Sequence, residues 1–130
     1  VEEGEQEMSV TQLLRWQWDG YPRNHRTRFN LLLHIVAVPL FLAGNVAVVV
    51  AMVQGTWLAA VCGAVAMVVS LALQGCGHRH EPTPPEPFKD AWNAVARILC
   101  EQWITFPRFF FSGGWLHALR QARPVPAGPA

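Results

Sequence analysis

Two stretches far apart in the chain carry the side chains best suited to hold a metal ion. "NHRTRFNLLLH" contains His25 and His34, and "QGCGHRHE" contains His78, His80 and Glu81. Asn30 stands four residues before His34, and Gln74 stands four before His78, so on helices each amide shares a side with its histidine. Neutral imidazole suits iron, zinc and copper, and histidines with one carboxylate and open positions are the pattern of non-haem Fe(II) oxygenases. Asn30 and Gln74 would then be outer partners that fix the imidazole tautomers. The plainer alternative is a set of interfacial histidines that hydrogen-bond backbone or headgroups. Cys76, His78 and His80 in "CGHRH" form a second arrangement, suited to zinc or copper, although the spacing is not that of a zinc finger. His117 reads as an ordinary interfacial residue. The chain has no phosphate-binding glycine loop, serine nucleophile elbow or P-loop lysine.

The elements that must bring these residues together are strongly apolar. The chain has 130 residues, 52% hydrophobic and only 15% charged, against about 25% charged in a usual globular domain. Ile35 to Val53 carries no charge and Asn45 as its only strongly polar side chain, and Trp57 to Leu73 carries only Ser70. As helices these runs are roughly 25 to 29 Å long, near the hydrocarbon thickness of a bilayer. The expected fold is therefore all-α: a membrane-spanning helical hairpin over about 29–53 and 57–75. Two buried helices of a soluble domain are the alternative, but so short a chain can hardly wrap both on every side. Folding about Gly55 puts His34 and His78 within a turn of the same depth, with His25, His80 and Glu81 at the same rim. Polar groups at such a depth are costly and usually mark function.

Further features place the hairpin. Arg15, Arg23, Arg26 and Arg28 precede it, Arg79 and Lys89 follow it, and the connecting "QGT" has no charge. The positive-inside rule then puts both termini in the cytoplasm, with a bacterial inner membrane as the expected location. Ala43, Ala47 and Ala51, with Ala59–Gly63 and Ala60–Ala64 opposite, suggest close helix packing, and Pro39 suggests a kink. Asn45 reads as interhelical glue. Residues 1–12 read as a disordered acidic leader, 13–120 as one membrane-embedded helical domain, and 121–130 as a disordered tail. "HEPTPPEP" is a stiff connector. Residues 88–103 then form an amphipathic helix, with Phe88, Trp92, Val95, Ala96, Leu99 and Trp103 on one face and Lys89, Asn93, Arg97 and Glu101 on the other. A broken aromatic segment follows. Cys62, Cys76 and Cys100 form no disulfide framework. No patch for nucleic acid is evident, and a homo-oligomer is compatible with the sequence.

Tyr21, His25, Asn30, His34 and Pro39 fit Tyr-x3-His-x4-Asn-x3-His-x4-Pro, and "QGCGH", Gln74 to His78, followed by a glutamate and prolines, fits a partner block. Together they resemble the family of small membrane proteins that includes the fungal 2-hydroxy fatty acid dioxygenase, over roughly residues 21 to 85. The resemblance implies an Fe(II)-dependent, O2-using membrane enzyme with His25, His34 and His78 essential, and Tyr21 among the outer residues. Two departures stand out: the fungal pattern doubles its first histidine where this chain has Arg26, and its glutamate falls four residues after the Gly-His histidine, not three. The fourth ligand is thus open between His80 and Glu81. The expected reaction is α-oxidation of a 2-hydroxy fatty acid, a one-carbon shortening. Arg26 or Arg28 would attract the carboxylate, and Phe109 to Phe111 with the hairpin would hold the acyl chain. A non-catalytic membrane scaffold with structural histidines and a zinc-dependent lipid hydrolase are the alternatives.

Overall fold

A computed structural model describes residues 6–122, all helix and connecting loop without a strand among them. Its centre is the expected hairpin. Helix α2 runs from Arg28 to Gln54, its start capped by the Thr27 side chain, which accepts from the Asn30 amide. It continues through Pro39 and ends at Gly55, whose φ of +69° is the left-handed stop that glycine adopts without steric cost. Helix α3 runs from Trp57 to His78, so His78 is its last residue, a turn beyond the limit that hydropathy sets.

Both helices are long and apolar enough to cross a membrane, and only 28% and 22% of their apolar windows are buried. The central helices of a soluble domain would be mostly buried. Here Val36, Val49, Val53, Trp57, Leu58, Val61, Val65 and Val68 lie exposed along both helices. An apolar surface of that extent fits an apolar surrounding, not water.

The two helices cross at a glycine pair. A Cβ on Gly44 would stand 2.6 Å from the Gly63 carbonyl oxygen, and one on Gly63 would stand 2.8 Å from that of Gly44. On α3 the close contact falls on Gly63, a member of the expected small-residue rows, whereas on α2 it falls on Gly44, one residue after Ala43. Ala37, Gly44 and Ala51 are buried at seven-residue intervals, whereas Ala43 is exposed. A heptad stripe follows the line of contact between two supercoiling helices, which a strict four-residue stripe leaves. Deeper along the same seam, the Ser70 hydroxyl donates to the Ala37 carbonyl.

Helix α1, Val10–Gly20, begins inside the stretch expected to be leader, because Ser9 and Gln12 form a reciprocal capping box. Residues 1–5 of that leader, and all but the first two residues of the 121–130 tail, lie outside the described residues. A 3-10 turn, Tyr21–Asn24, with Pro22 at its start, joins α1 to the loop that carries His25.

After an irregular proline-rich strap, helix α4 spans Ala91–Cys100 behind an Asp90 cap. It passes directly into a π-helical turn, Glu101–Thr105, and then into α5, Phe106–Phe111. Gly113, with φ +84°, separates α5 from α6, Gly114–Gln121. The periodicity expected for 88–103 is present. Its apolar members Phe88, Trp92, Val95, Leu99 and Trp103 are exposed, while Asn93, Arg97 and Glu101 turn inward. The helix is amphipathic with its polar face toward the protein. Trp103 reaches across to α2, donating from its indole nitrogen to Asn45 at 3.0 Å, which gives Asn45 the interhelical role expected of it.

Candidate metal centre

Four side chains, from three helical elements and a loop, converge at the rim where α2 begins and α3 ends. His25 comes from the loop after the 3-10 turn, His34 from the second turn of α2, His78 from the end of α3, and Glu101 from the start of the π turn. One ligand atom from each lies within 4.8 Å of all the others. The three imidazoles meet edge to face, with centroids 4.7 to 5.0 Å apart. Tyr21 stacks on His25 at 3.8 Å, and Phe106 and Phe109 close the apolar side.

The hydrogen bonds fix which nitrogens face the centre. His25 Nδ1 donates to the Tyr21 carbonyl at 2.9 Å, and His34 Nδ1 donates to the Asn30 carbonyl at 3.0 Å. A carbonyl only accepts, so both protons sit on Nδ1 and both Nε2 atoms carry lone pairs. Those two Nε2 atoms face each other at 3.3 Å. Two lone pairs cannot hydrogen-bond to each other, and a cation beside them relieves the repulsion. A proton is a poor candidate, because burial, reinforced by His34 and His78, holds His25 well below the usual histidine range. A metal ion fits: ligands about 2.0–2.1 Å from a tetrahedral ion stand about 3.3 Å apart. The Glu101 Oε1 atom lies 3.9 Å from each Nε2, and His78 Nδ1 is buried with no hydrogen-bond partner. Metal-bound histidines typically donate their other N–H to a backbone carbonyl, as His25 and His34 do.

Glu101 keeps 22% of its side chain exposed, yet burial dominates its titration and pushes its carboxyl up to about 7. Tyr21, expected among the outer residues, donates its hydroxyl to Glu101 at 3.2 Å. Burial and the neighbouring carboxylate push the Tyr21 phenol above its ordinary value, so it remains a donor.

His25, His34 and His78 therefore meet as the spacing implied, but the other expected ligands do not join them. Glu81 is buried and turned to the main chain. Its Oε1 accepts from the amides of Arg26 and Thr27, from the Thr27 hydroxyl and from Asn30 Nδ2, all at 2.9 to 3.0 Å. It fastens the His25 loop to the end of α3. His80 is exposed, its Nδ1 bonded to the Cys76 carbonyl and its ring against Phe29. Two residues apart at a helix end point in different directions, so His78 enters the centre while His80 leaves it, and the "CGHRH" arrangement does not form.

Asn30 serves His34 through its carbonyl, while its side chain joins Asn24 and Glu81. The Gln74 side chain makes no hydrogen bond to the His78 ring. It exchanges two hydrogen bonds, 3.0 and 2.8 Å, with Gln102 in the π turn, so its effect is on the residue beside Glu101. Arg28 is exposed at the first turn of α2, and Arg26 lines a cavity of about 330 Å3 on the His117 side of His25.

Glu101 is the site residue that sequence reasoning missed. Its signal was present: a single carboxylate on the polar face of an otherwise aromatic segment. What could not be read was which way that face turned. No family model, curated protein or solved structure matches this chain, so the geometry of the centre and the motif pattern carry its functional reading.

Proposed function

We propose that this chain is a membrane-embedded metalloenzyme in which His25, His34, His78 and Glu101 hold Fe(II), and that it uses O2 to shorten 2-hydroxy fatty acids by one carbon. The observation that carries the metal is the pair of imidazole lone pairs 3.3 Å apart, with both remaining nitrogens committed as donors. Three imidazoles and a carboxylate, without a thiolate, form a donor set that non-haem iron accepts. The membrane setting is supported by the two unburied apolar helices and favours an amphiphilic substrate. Arginines at the rim favour a cytoplasmic face for the site, and the location we propose is a bacterial inner membrane.

When bound, the iron would supply O2 chemistry and electrophilic binding of the hydroxy acid. The protein's own groups do the rest. Backbone carbonyls at Tyr21 and Asn30 hold the two rings, Tyr21 holds the carboxylate of Glu101, and Phe106 and Phe109 keep water from the apolar side. The overall change balances as one 2-hydroxy acid and one O2 giving the acid one carbon shorter, CO2 and water.

The test is anaerobic Fe(II) reconstitution in detergent followed by metal analysis and oxygen uptake. We expect about one iron per chain, lost in His34→Ala with helix content retained, and O2 consumption with 2-hydroxyhexadecanoic acid. A folded wild type that binds no iron would leave a scaffold with structural histidines. Turnover of a lipid ester without O2 would leave a zinc-type hydrolase.

A further inference from the structure

A cavity of about 360 Å3 opens from the centre toward the rim, between α1 and the proline strap. Its inner end is formed by Tyr21, His25, His78 and Glu101, and its walls by Trp16, Phe88 and the strap prolines. Two arginines line it. Arg97 is already engaged: it donates to the carbonyls of Glu86 and Pro87, at 2.8 and 3.1 Å, and lies over the rings of Trp16 and Phe88. That guanidinium pins the strap. The Arg23 side chain makes no hydrogen bond, ion pair or ring contact among the described residues. Its side chain folds back over Gly20, where a Cβ would stand 3.4 Å from its Nη2.

We infer that this cavity receives the head of a single-chain carboxylic acid, and that Arg23 is the residue that holds the carboxylate. The cavity lining is mainly apolar, with Gln17, Asn24, Thr83 and Glu86 also on it, carries one cation uncommitted among the described residues, and reaches the imidazoles and Glu101. That set of surfaces suits an acyl chain, a carboxylate and a reacting carbon beside it. Arg26 cannot share the role from where it stands, since it lines a different cavity across the His25 ring. This inference rests on the proposed function for the choice of a 2-hydroxy acid as probe.

The experiment is equilibrium binding to zinc-loaded protein in non-ionic detergent, where binding occurs without turnover. The probes are 2-hydroxyhexadecanoic acid and its methyl ester, and the proteins are wild type, Arg23→Gln, Arg23→Lys and, as a charge control, Arg79→Gln. A charge-assisted hydrogen bond of about 1.5–3 kcal/mol corresponds to roughly 10- to 100-fold in affinity. Arg23→Gln should weaken the acid by that factor and leave the ester as in wild type. Arg23→Lys should recover most of the loss, and Arg79→Gln should change neither probe. Unchanged acid binding in Arg23→Gln, equal loss of acid and ester, or no acid binding by wild type would each overturn the assignment. Arg23-dependent acid binding by a protein that consumes no O2 when iron-loaded would support the carboxylate site and remove the dioxygenase reading.

Discussion

Replacing Glu81 by Ala separates two roles that the sequence left open, a ligand or a fastening for the loop. In the structure the carboxylate is 7% exposed and is the common acceptor for the Arg26 and Thr27 amides, the Thr27 hydroxyl and the Asn30 side chain. A hydrogen bond to a charged group contributes about 1.5–3 kcal/mol, and leaving a buried donor unpaired costs about 1–3 kcal/mol. These terms share one acceptor and do not add, so the expected loss is about 3 kcal/mol. For a domain of this size that lowers the melting temperature by roughly 10 °C. Thermal unfolding of the metal-free variant in detergent measures it, with metal content at saturation determined in parallel. Glu81→Ala should still bind about one metal per chain, with weaker affinity because the His25 loop must be ordered on binding. Glu81→Gln, which keeps one acceptor oxygen, should fall between the variant and wild type. If Glu81→Ala melts with the wild type yet cannot be loaded, Glu81 is a ligand and the reasoning fails.

Glu101→Gln should show the opposite pattern: metal lost, fold kept. Because burial raises the folded carboxyl to about 7 from 4.5, the folded protein holds a proton that the unfolded chain has released. This group therefore lowers metal-free stability as pH rises from 4.5 to about 7. The metal-free Glu101→Gln variant should consequently gain stability over wild type at pH 8 but not at pH 4. Wild-type metal affinity should fall about tenfold per pH unit below 7, where the proton competes for Glu101, and titrations at pH 6 and 8 would reveal a flat profile if that is wrong. At the helix crossing, Gly63→Ala sets a methyl 2.8 Å from a backbone oxygen that cannot swing away. A loss of about 1–3 kcal/mol follows from overpacking, and unchanged thermal unfolding would disprove so close an approach.

The hairpin and three of the four site residues were legible because they depend on quantities that sequence displays directly. Two uncharged runs joined at Gly55 give equal depth to His34 and His78, and the rings indeed meet at 5.0 Å. The expectation of Glu81 or His80 as fourth ligand followed proximity in sequence to His78, whereas the rotation of a helix end decides which neighbours face inward. Gln74 was tied to His78 by its four-residue spacing but turns instead toward Gln102, a partner on a segment that the periodicity could not orient. The same ambiguity hid Glu101. Inward polarity is the normal arrangement for a helix whose outer face meets lipid, and the reverse holds in water, so a hydrophobic pattern alone is silent about direction. Helix α1 was missed because its start lies within the polar N-terminal stretch, and the evidence for it was local, in the Ser9–Gln12 box.

The π turn has a consequence for how this segment can change. An α-helix closes a turn in about 3.6 residues, and a π turn accommodates one residue more. Upstream of it, the inward line runs through Asn93 and Arg97 to Glu101; downstream, it runs through Thr105, Phe106 and Phe109. Because the wider turn absorbs that residue, removing one position between 102 and 105 would restore an unbroken α-helix with Glu101 and the phenylalanines still on one inward face. The π turn is therefore the place where this segment tolerates a change of length. A chain one residue shorter there would keep its three histidines and its fourth donor facing the same centre.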